Sequence, residues 1–182
     1  MQQYLNEFES SLNPSVNWRR VLRIFSNSSS RTRIRNTLKR PSKRYGSNPG
    51  IKVRKKQKLL VAIDSSGSIK TEELQDFFNE VYHIWQQGAE IQIVECDVKI
   101  HQSYTYKGQN PSLVLGGGGT SFEAPIEYAN LHFRPDALIY LTDGYGPKPG
   151  ILSNCPILWL ISREGAKLEY LQAFQGRKLK MN

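Results

Sequence analysis

Two apolar runs that each lead into an aspartate organise this chain. The run LLVAID, Leu59 to Asp64, has no polar interruption before its carboxylate. Such a run suits a strand buried on both faces, as in a parallel sheet covered by helices. Ala137–Thr142 repeats the pattern and is followed by Asp143, and Ile91–Glu95 and Pro156–Ile161 read as further strands. Between these runs the apolar period lengthens. From Thr71 to about Gln87, the residues Leu74, Phe77, Phe78, Val81 and Ile84 form one helical stripe. Thr71 is the expected cap, Glu72 and Glu73 suit the helix dipole, and Gly88 is the stop. Glu123–Leu131 reads as a helix with Pro125 in its first turn, where proline is tolerated. Leu168, Leu171 and Phe174 suggest a closing helix. Val98–Tyr106 alternates and pairs as a hairpin around Asp97. Strand–helix alternation with buried strands predicts an α/β fold: a doubly wound, mostly parallel sheet with helices on both faces.

The first 57 residues break this rhythm. Asn17–Asn27 reads as a short helix whose stripe is Trp18, Val21, Leu22 and Phe25, with Asn17 or Ser15 as cap. Ser28–Gly50 is polar, basic and punctuated by Pro41, Gly46 and Pro49, and reads as loop or linker. The expected organisation is a basic N-terminal extension over residues 1–57 and a domain over 58–182. The extension closes no core of its own, so its helix must dock on the domain or on something outside the chain.

Charge sharpens this division. The net charge is +9, but residues 1–58 hold 15 basic and 2 acidic residues, a balance of +13, and residues 59–182 hold 10 basic and 14 acidic, a balance of −4. The basicity belongs to the extension, so the charge of the whole chain says nothing about nucleic-acid binding by the domain. Hydrophobic residues make up 38% of the 182, enough for a buried core. Cys96 and Cys155 sit in apolar runs and read as buried, reduced thiols. No apolar run reaches ~18 residues, and MQQYLNEFES carries no secretory pattern. The expected location is the cytoplasm.

The candidate chemistry lies at the strand ends. Asp64 is followed by hydroxyls at Ser66 and Ser68, with Gly67 allowing a tight turn between them. Gly116–Gly119 then presents Thr120, and the second aspartate-ending run supplies Asp143. Carboxyl ends of parallel strands are where open α/β sheets place ligands. Two carboxylates and three hydroxyls suit a hard divalent cation.

The order strand-DxSxS, Thr, strand-Asp resembles the metal-ion-dependent adhesion site of von Willebrand factor A (VWA) domains. The resemblance implies a VWA fold and a Mg²⁺ or Mn²⁺ site made by Asp64, Ser66, Ser68, Thr120 and Asp143. Trp18-Arg19-Arg20-Val21-Leu22, the basic run through Arg40-Pro41 and Arg44-Tyr45, the GGGGT loop, LTDGYGPKP and Gly176-Arg177-Lys178 resemble one bacterial VWA-like family. Longer members of that family carry an N-terminal metallopeptidase-like region, and its relatives occur with MoxR-type AAA+ ATPases. The resemblance implies such an ATPase as partner, and a partner carboxylate, Asp or Glu, as the group that meets the metal. This chain contains no HExxH, so peptidase activity is not carried over, and Ser121 stands where the family has an acidic residue.

Each feature has a plainer reading. Asp64, Ser66 and Ser68 could simply cap the next helix. The glycine loop could cradle phosphate, but it lacks the P-loop spacing and its lysine. His83, His101 and His132 have no motif around them, and no pair has zinc spacing. Tyr140, Tyr145 and Trp159 are expected in the core or at its rim, and Asp97 is a candidate for outer support of the ion. The basic run with Tyr45 could contact a phosphate backbone, although a solvated or docked arm is the simpler reading. The expectation is a non-catalytic, Mg²⁺-binding protein-interaction module with no membrane or nucleic-acid partner. A metal-dependent hydrolase and a nucleic-acid-binding arm are the alternatives.

Overall fold

The computed structural model describes residues 17–28, 32–37, 50–55, 57–67, 69–109 and 119–182. Strands β3 (Lys58–Asp64), β4 (Glu90–Cys96), β5 (Ile100–Thr105), β6 (Ala137–Thr142), β7 (Ile157–Ile161) and β8 (Arg177–Lys180) form one sheet in the order β5-β4-β3-β6-β7-β8. All neighbours are parallel except β4 and β5, which form the expected antiparallel hairpin. Every residue of β6 and β7 is buried, and all of β3 after Lys58. That is why these strands read as uninterrupted apolar runs rather than alternating ones.

Two cores lie on the two faces of the sheet. One packs helices α1 (Trp18–Ser28) and α2 (Thr71–Gln86) over Leu59, Val61, Ile63, Ile139, Leu158 and Leu160. The other packs α3 (Glu123–Tyr128) and the segment around Leu171 and Phe174 over Leu60, Ala62, Leu138, Tyr140 and Trp159. Cys96 and Cys155 are buried free thiols. No helix among the described residues is long and apolar enough to cross a membrane.

Helix α1 docks on the domain. Trp18, Leu22 and Phe25 enter the core, and Val21 packs at its edge. Asn17 caps the helix, its side chain accepting from the Arg20 N–H at 3.2 Å. On the outer side, Arg23 forks onto Glu80 of α2 with bonds of 2.7 and 2.9 Å, and Arg19 reaches Asp76 at 3.1 Å. These arginines are largely exposed, so their ion pairs add little stability, and the apolar stripe carries the attachment.

Several expected elements take a different form. The Ser28–Gly50 linker instead begins an antiparallel pair, β1 (Thr32–Thr37) with β2 (Gly50–Lys55), in which Ile34 is in register with Val53. The alternation Ile51-Lys52-Val53-Arg54 is a strand pattern, obscured by the surrounding bases. Thr71 is the first helical residue of α2, and Lys70 occupies the cap position. The helix from Glu123 stops being α at Tyr128 and continues as a π-turn over Ala129–Phe133. Arg134, with φ of 49°, closes that turn by donating its N–H to Ala129 O at 2.9 Å. The closing helix is a single 3₁₀ turn, Leu168–Leu171, followed by β8, which the charged sequence RKLK concealed. Gly176 makes the bend into β8: its φ is +99°, and a Cβ there would lie 2.5 Å from Ile157 O.

Candidate metal centre

The carboxyl edge of the sheet gathers four chain segments. Asp64 ends β3, and Ser65 N–H donates to Cys96 O at 2.8 Å, locking the turn to the end of β4. Ser121 N–H donates to Asp97 O at 2.9 Å, which brings the Thr120 segment to the same edge. Asp143 follows β6, the strand next to β3. Its turn approaches Thr120: a Cβ on Gly146 would lie 3.4 Å from Thr120 Cγ2 and 2.8 Å from the Phe122 ring. The structure therefore brings Asp64, Ser66, Thr120 and Asp143 to one sheet edge. Ser68 and the loop Gly116–Gly118 lie outside the described residues.

Asp64 is the most constrained group of the set and is only 3% exposed. Its Oδ1 accepts the Ser66 N–H at 3.1 Å, and its Oδ2 accepts the Thr142 hydroxyl at 2.8 Å. Burial pushes its carboxyl pKa up, hydrogen bonds from Thr142 and Ser66 pull it down, and the Asp143 charge adds a smaller upward push. Among the described residues, none of the main influences on Asp64 is a basic side chain. Two carboxylates thus sit close enough to repel, one of them desolvated. Gly67 adopts φ of +85°, as the tight turn after Asp64 requires. Asp143 is held by its own turn, Oδ1 accepting the Tyr145 N–H at 2.9 Å, and its carbonyl accepts the Ala166 N–H at 2.7 Å. A hard cation fits this donor set, which is all oxygen and carries two negative charges. Cys96 lies beneath but is no thiolate: burial pushes its pKa up to about 12.

Supports absent from the sequence reading become visible here. Thr142 bridges the two aspartate-bearing strands. Its one sequence signal is a hydroxyl ending an otherwise apolar strand, ALIYLT. Glu73 is buried and clasps two loops, accepting the Lys70 N–H at 3.3 Å and the Arg163 N–H at 2.6 Å. Lys70 also pairs with Glu164. Asp97 acts through its backbone. Its carboxylate is occupied by His101 at 2.8 Å, which holds its pKa below the usual carboxylate range. His101 is the extra residue of a bulge, since Glu95 pairs with Gln102 and Cys96 with Ile100. Phe122, Tyr140 and Trp159 form an aromatic cluster below the Thr120 segment, with Tyr140 and Trp159 stacked at 5.0 Å. Tyr145 is exposed.

The Glu73 clasp supports a prediction. Glu73→Ala frees the Lys70 and Arg163 amides at once and is expected to cost about 1–3 kcal/mol of folding free energy. Urea unfolding checks this, and a change below about 0.5 kcal/mol, as at an ordinary surface position, would show that the clasp is dispensable.

Residues 59–179 match the family model described as VWA-like domain (DUF2201). The chain belongs to this VWA-like family. The match covers the whole main sheet except its first and last residues, from Leu59 in β3 to Leu179 in β8. An uncharacterized protein of Thermotoga maritima is 30% identical over 154 residues, which are 83% of this chain and 38% of that protein. The chain thus spans well under half the length of this relative. The crystal structure of a conserved hypothetical protein, BatB from Bacteroides thetaiotaomicron, superposes with TM-score 0.51 at 14% identity, over 69% of this chain and 90% of that one. This likeness concerns the fold alone. An aerotolerance-related membrane protein of Bacteroides fragilis gives TM-score 0.42 at 17% identity, over 58% of this chain and 67% of that one. The VWA-like domain is a protein-interaction type of module, presented on a mostly parallel α/β sheet.

Proposed function

We propose that this VWA-like domain binds one divalent cation, Mg²⁺ or Mn²⁺, and uses it to hold a carboxylate of a protein partner. The observation that carries the reading is the convergence of two carboxylates from adjacent strands, one buried, with hydroxyls at the same sheet edge. Asp64 and Asp143 supply charge, directly or through water, and Ser66, Ser68 and Thr120 supply neutral oxygens. When bound, the cation supplies an electrophilic point for a partner's Asp or Glu. The role of the protein residues is to hold two like charges together before the ion arrives, so that little reorganisation is needed on binding. A MoxR-type AAA+ ATPase is the partner class implied by the family resemblance, and the cytoplasm the matching location.

A hydrolytic reading has less support. His101 is committed to Asp97. The π-turn that carries His132 ends at Phe133, whose carbonyl accepts from Lys58 Nζ at the far end of β3. His83 lies in the last turn of α2, also away from the carboxyl edge.

The test is association with a MoxR-type ATPase, measured in Mg²⁺ and in EDTA. Asp143→Ala and Thr120→Ala are both expected to weaken it tenfold or more while leaving the fold intact, on the order of 1.4 kcal/mol or above. Thr120→Ala changes no formal charge, so its effect separates coordination from bulk electrostatics. Equal affinity in Mg²⁺ and EDTA would remove the ion from the interface. Metal-dependent turnover of a peptide or phosphoester that Asp64→Ala abolishes would replace this reading with an enzymatic one.

A further inference from the structure

We infer that Thr142 is a positioning residue for the metal site, one that fixes Asp64 and the Asp143 turn through a single hydroxyl. The inference rests on the metal-site reading above and names a residue outside its five ligands. Thr142 is fully buried at the end of β6. The pairing of Ile63 with Leu141 makes Thr142 the next cross-strand neighbour of Asp64. Its Oγ1 donates to Asp64 Oδ2 at 2.8 Å and accepts the Gly144 N–H at 3.0 Å.

The polarity of this chain of bonds is fixed. An amide N–H only donates, so Thr142 must accept from Gly144. Its one hydroxyl proton is then left for Asp64. Asp64 Oδ2 must accept, and its Oδ1 already accepts from Ser66. Both carboxylate oxygens are thus oriented by donors, and the Ser66 side chain adds a further hydrogen bond to the same carboxylate. The Gly144 end of the bridge fixes the backbone next to Asp143. Gly144 takes φ of +80°, a conformation that suits glycine, so the turn is shaped for this contact. One hydroxyl therefore fixes the relative placement of two carboxylates that repel each other. Orienting partners of this kind commonly change metal affinity by about 10–100-fold when removed.

The experiment is Mn²⁺ titration by calorimetry on the full chain as wild type, Thr142→Val and Thr142→Ser, with melting in EDTA recorded for each. Valine keeps the shape and removes the hydroxyl, and serine keeps the hydroxyl. Thr142→Val is expected to lose about 10–100-fold in Mn²⁺ affinity, and Thr142→Ser to retain the wild-type value. If the valine variant does not fold, Thr142→Ala against Thr142→Ser makes the same comparison. Wild-type affinity in the hydroxyl-free variant overturns the positioning role while leaving the metal site standing. Equal weakening by valine and serine also overturns it, since packing would then be the cause. If wild type takes up no Mn²⁺, the metal-site reading falls and the inference with it.

Discussion

Asp64→Ala is expected to abolish the stabilisation that Mg²⁺ or Mn²⁺ confers on this protein. A ligand that binds only the folded state raises stability by about 2.7 kcal/mol at a hundred times its dissociation constant. Wild type should therefore melt at a clearly higher temperature in excess Mn²⁺ than in EDTA, and the variant should melt at the same temperature in both. Unfolding does not explain the expected loss. Removing Asp64 leaves the Thr142 hydroxyl and the Ser66 amide without an acceptor, a cost of about 1–3 kcal/mol. It also removes a desolvated carboxylate pushed up by burial and by Asp143, which is a gain. The two act in opposite directions, so the metal-free variant should stay folded and close to wild type. A Mn²⁺ shift of equal size in wild type and variant would place the ion elsewhere.

The parts of this site legible in the sequence are those fixed by local geometry. A strand that ends in Asp64 must present it at the sheet edge, and a second such strand, adjacent in the sheet, must present Asp143 beside it. The sequence conveys the two strand ends, the resemblance to the adhesion site implies that they meet, and the adjacency itself is visible only in the structure. The role of Thr142 was not legible, because it depends on a hydroxyl meeting a carboxylate 78 positions away across β3 and β6. Glu73 was readable as a dipole-favouring residue of α2. Its bond to the Arg163 amide, 90 positions on, is set by where the loop after β7 returns.

The same division holds for the fold. Fully buried strands advertise themselves because nothing polar survives on either face. Of the edge strands, β5 shows itself by its alternation, whereas the short or strongly basic ones do not. In β8 only Leu179 is buried, so a single apolar residue among lysines and an arginine was the whole signal. In β1 and β2 the bases dominate composition while the strand period persists beneath them. The 3₁₀ turn at Leu168–Leu171 shows the converse error. Leu168, Leu171 and Phe174 have helical spacing, but that spacing also fits a single turn followed by a bend into Gly176.

Trp18→Ala is expected to destabilise the whole domain, by about 3–5 kcal/mol, the usual range for truncating a buried aromatic to alanine. The sequence places Trp18 in a basic extension. The structure places it in the core of the sheet, among its largest fully buried side chains. Its outer edge is covered by Arg19, whose guanidinium carbon lies 5.0 Å from the ring centroid, and that arginine is itself tied to Asp76 of α2. Removing the ring opens a cavity in the core beneath α1 that the packed strands cannot fully close, so the cost should exceed the transfer term alone. Domains of ordinary stability have only about 5–15 kcal/mol in hand, so the variant should sit near the limit of folding. Ile24 is the control. It lies on the same helix but is 52% exposed, and Ile24→Ala should change stability by no more than about 0.5 kcal/mol. Urea unfolding of the two variants settles whether α1 is a structural layer of the domain. Similar small losses for both would mean that it is an appended arm, and that trypsin cleavage between Arg31 and Lys56 should leave a stable core beginning near Leu59.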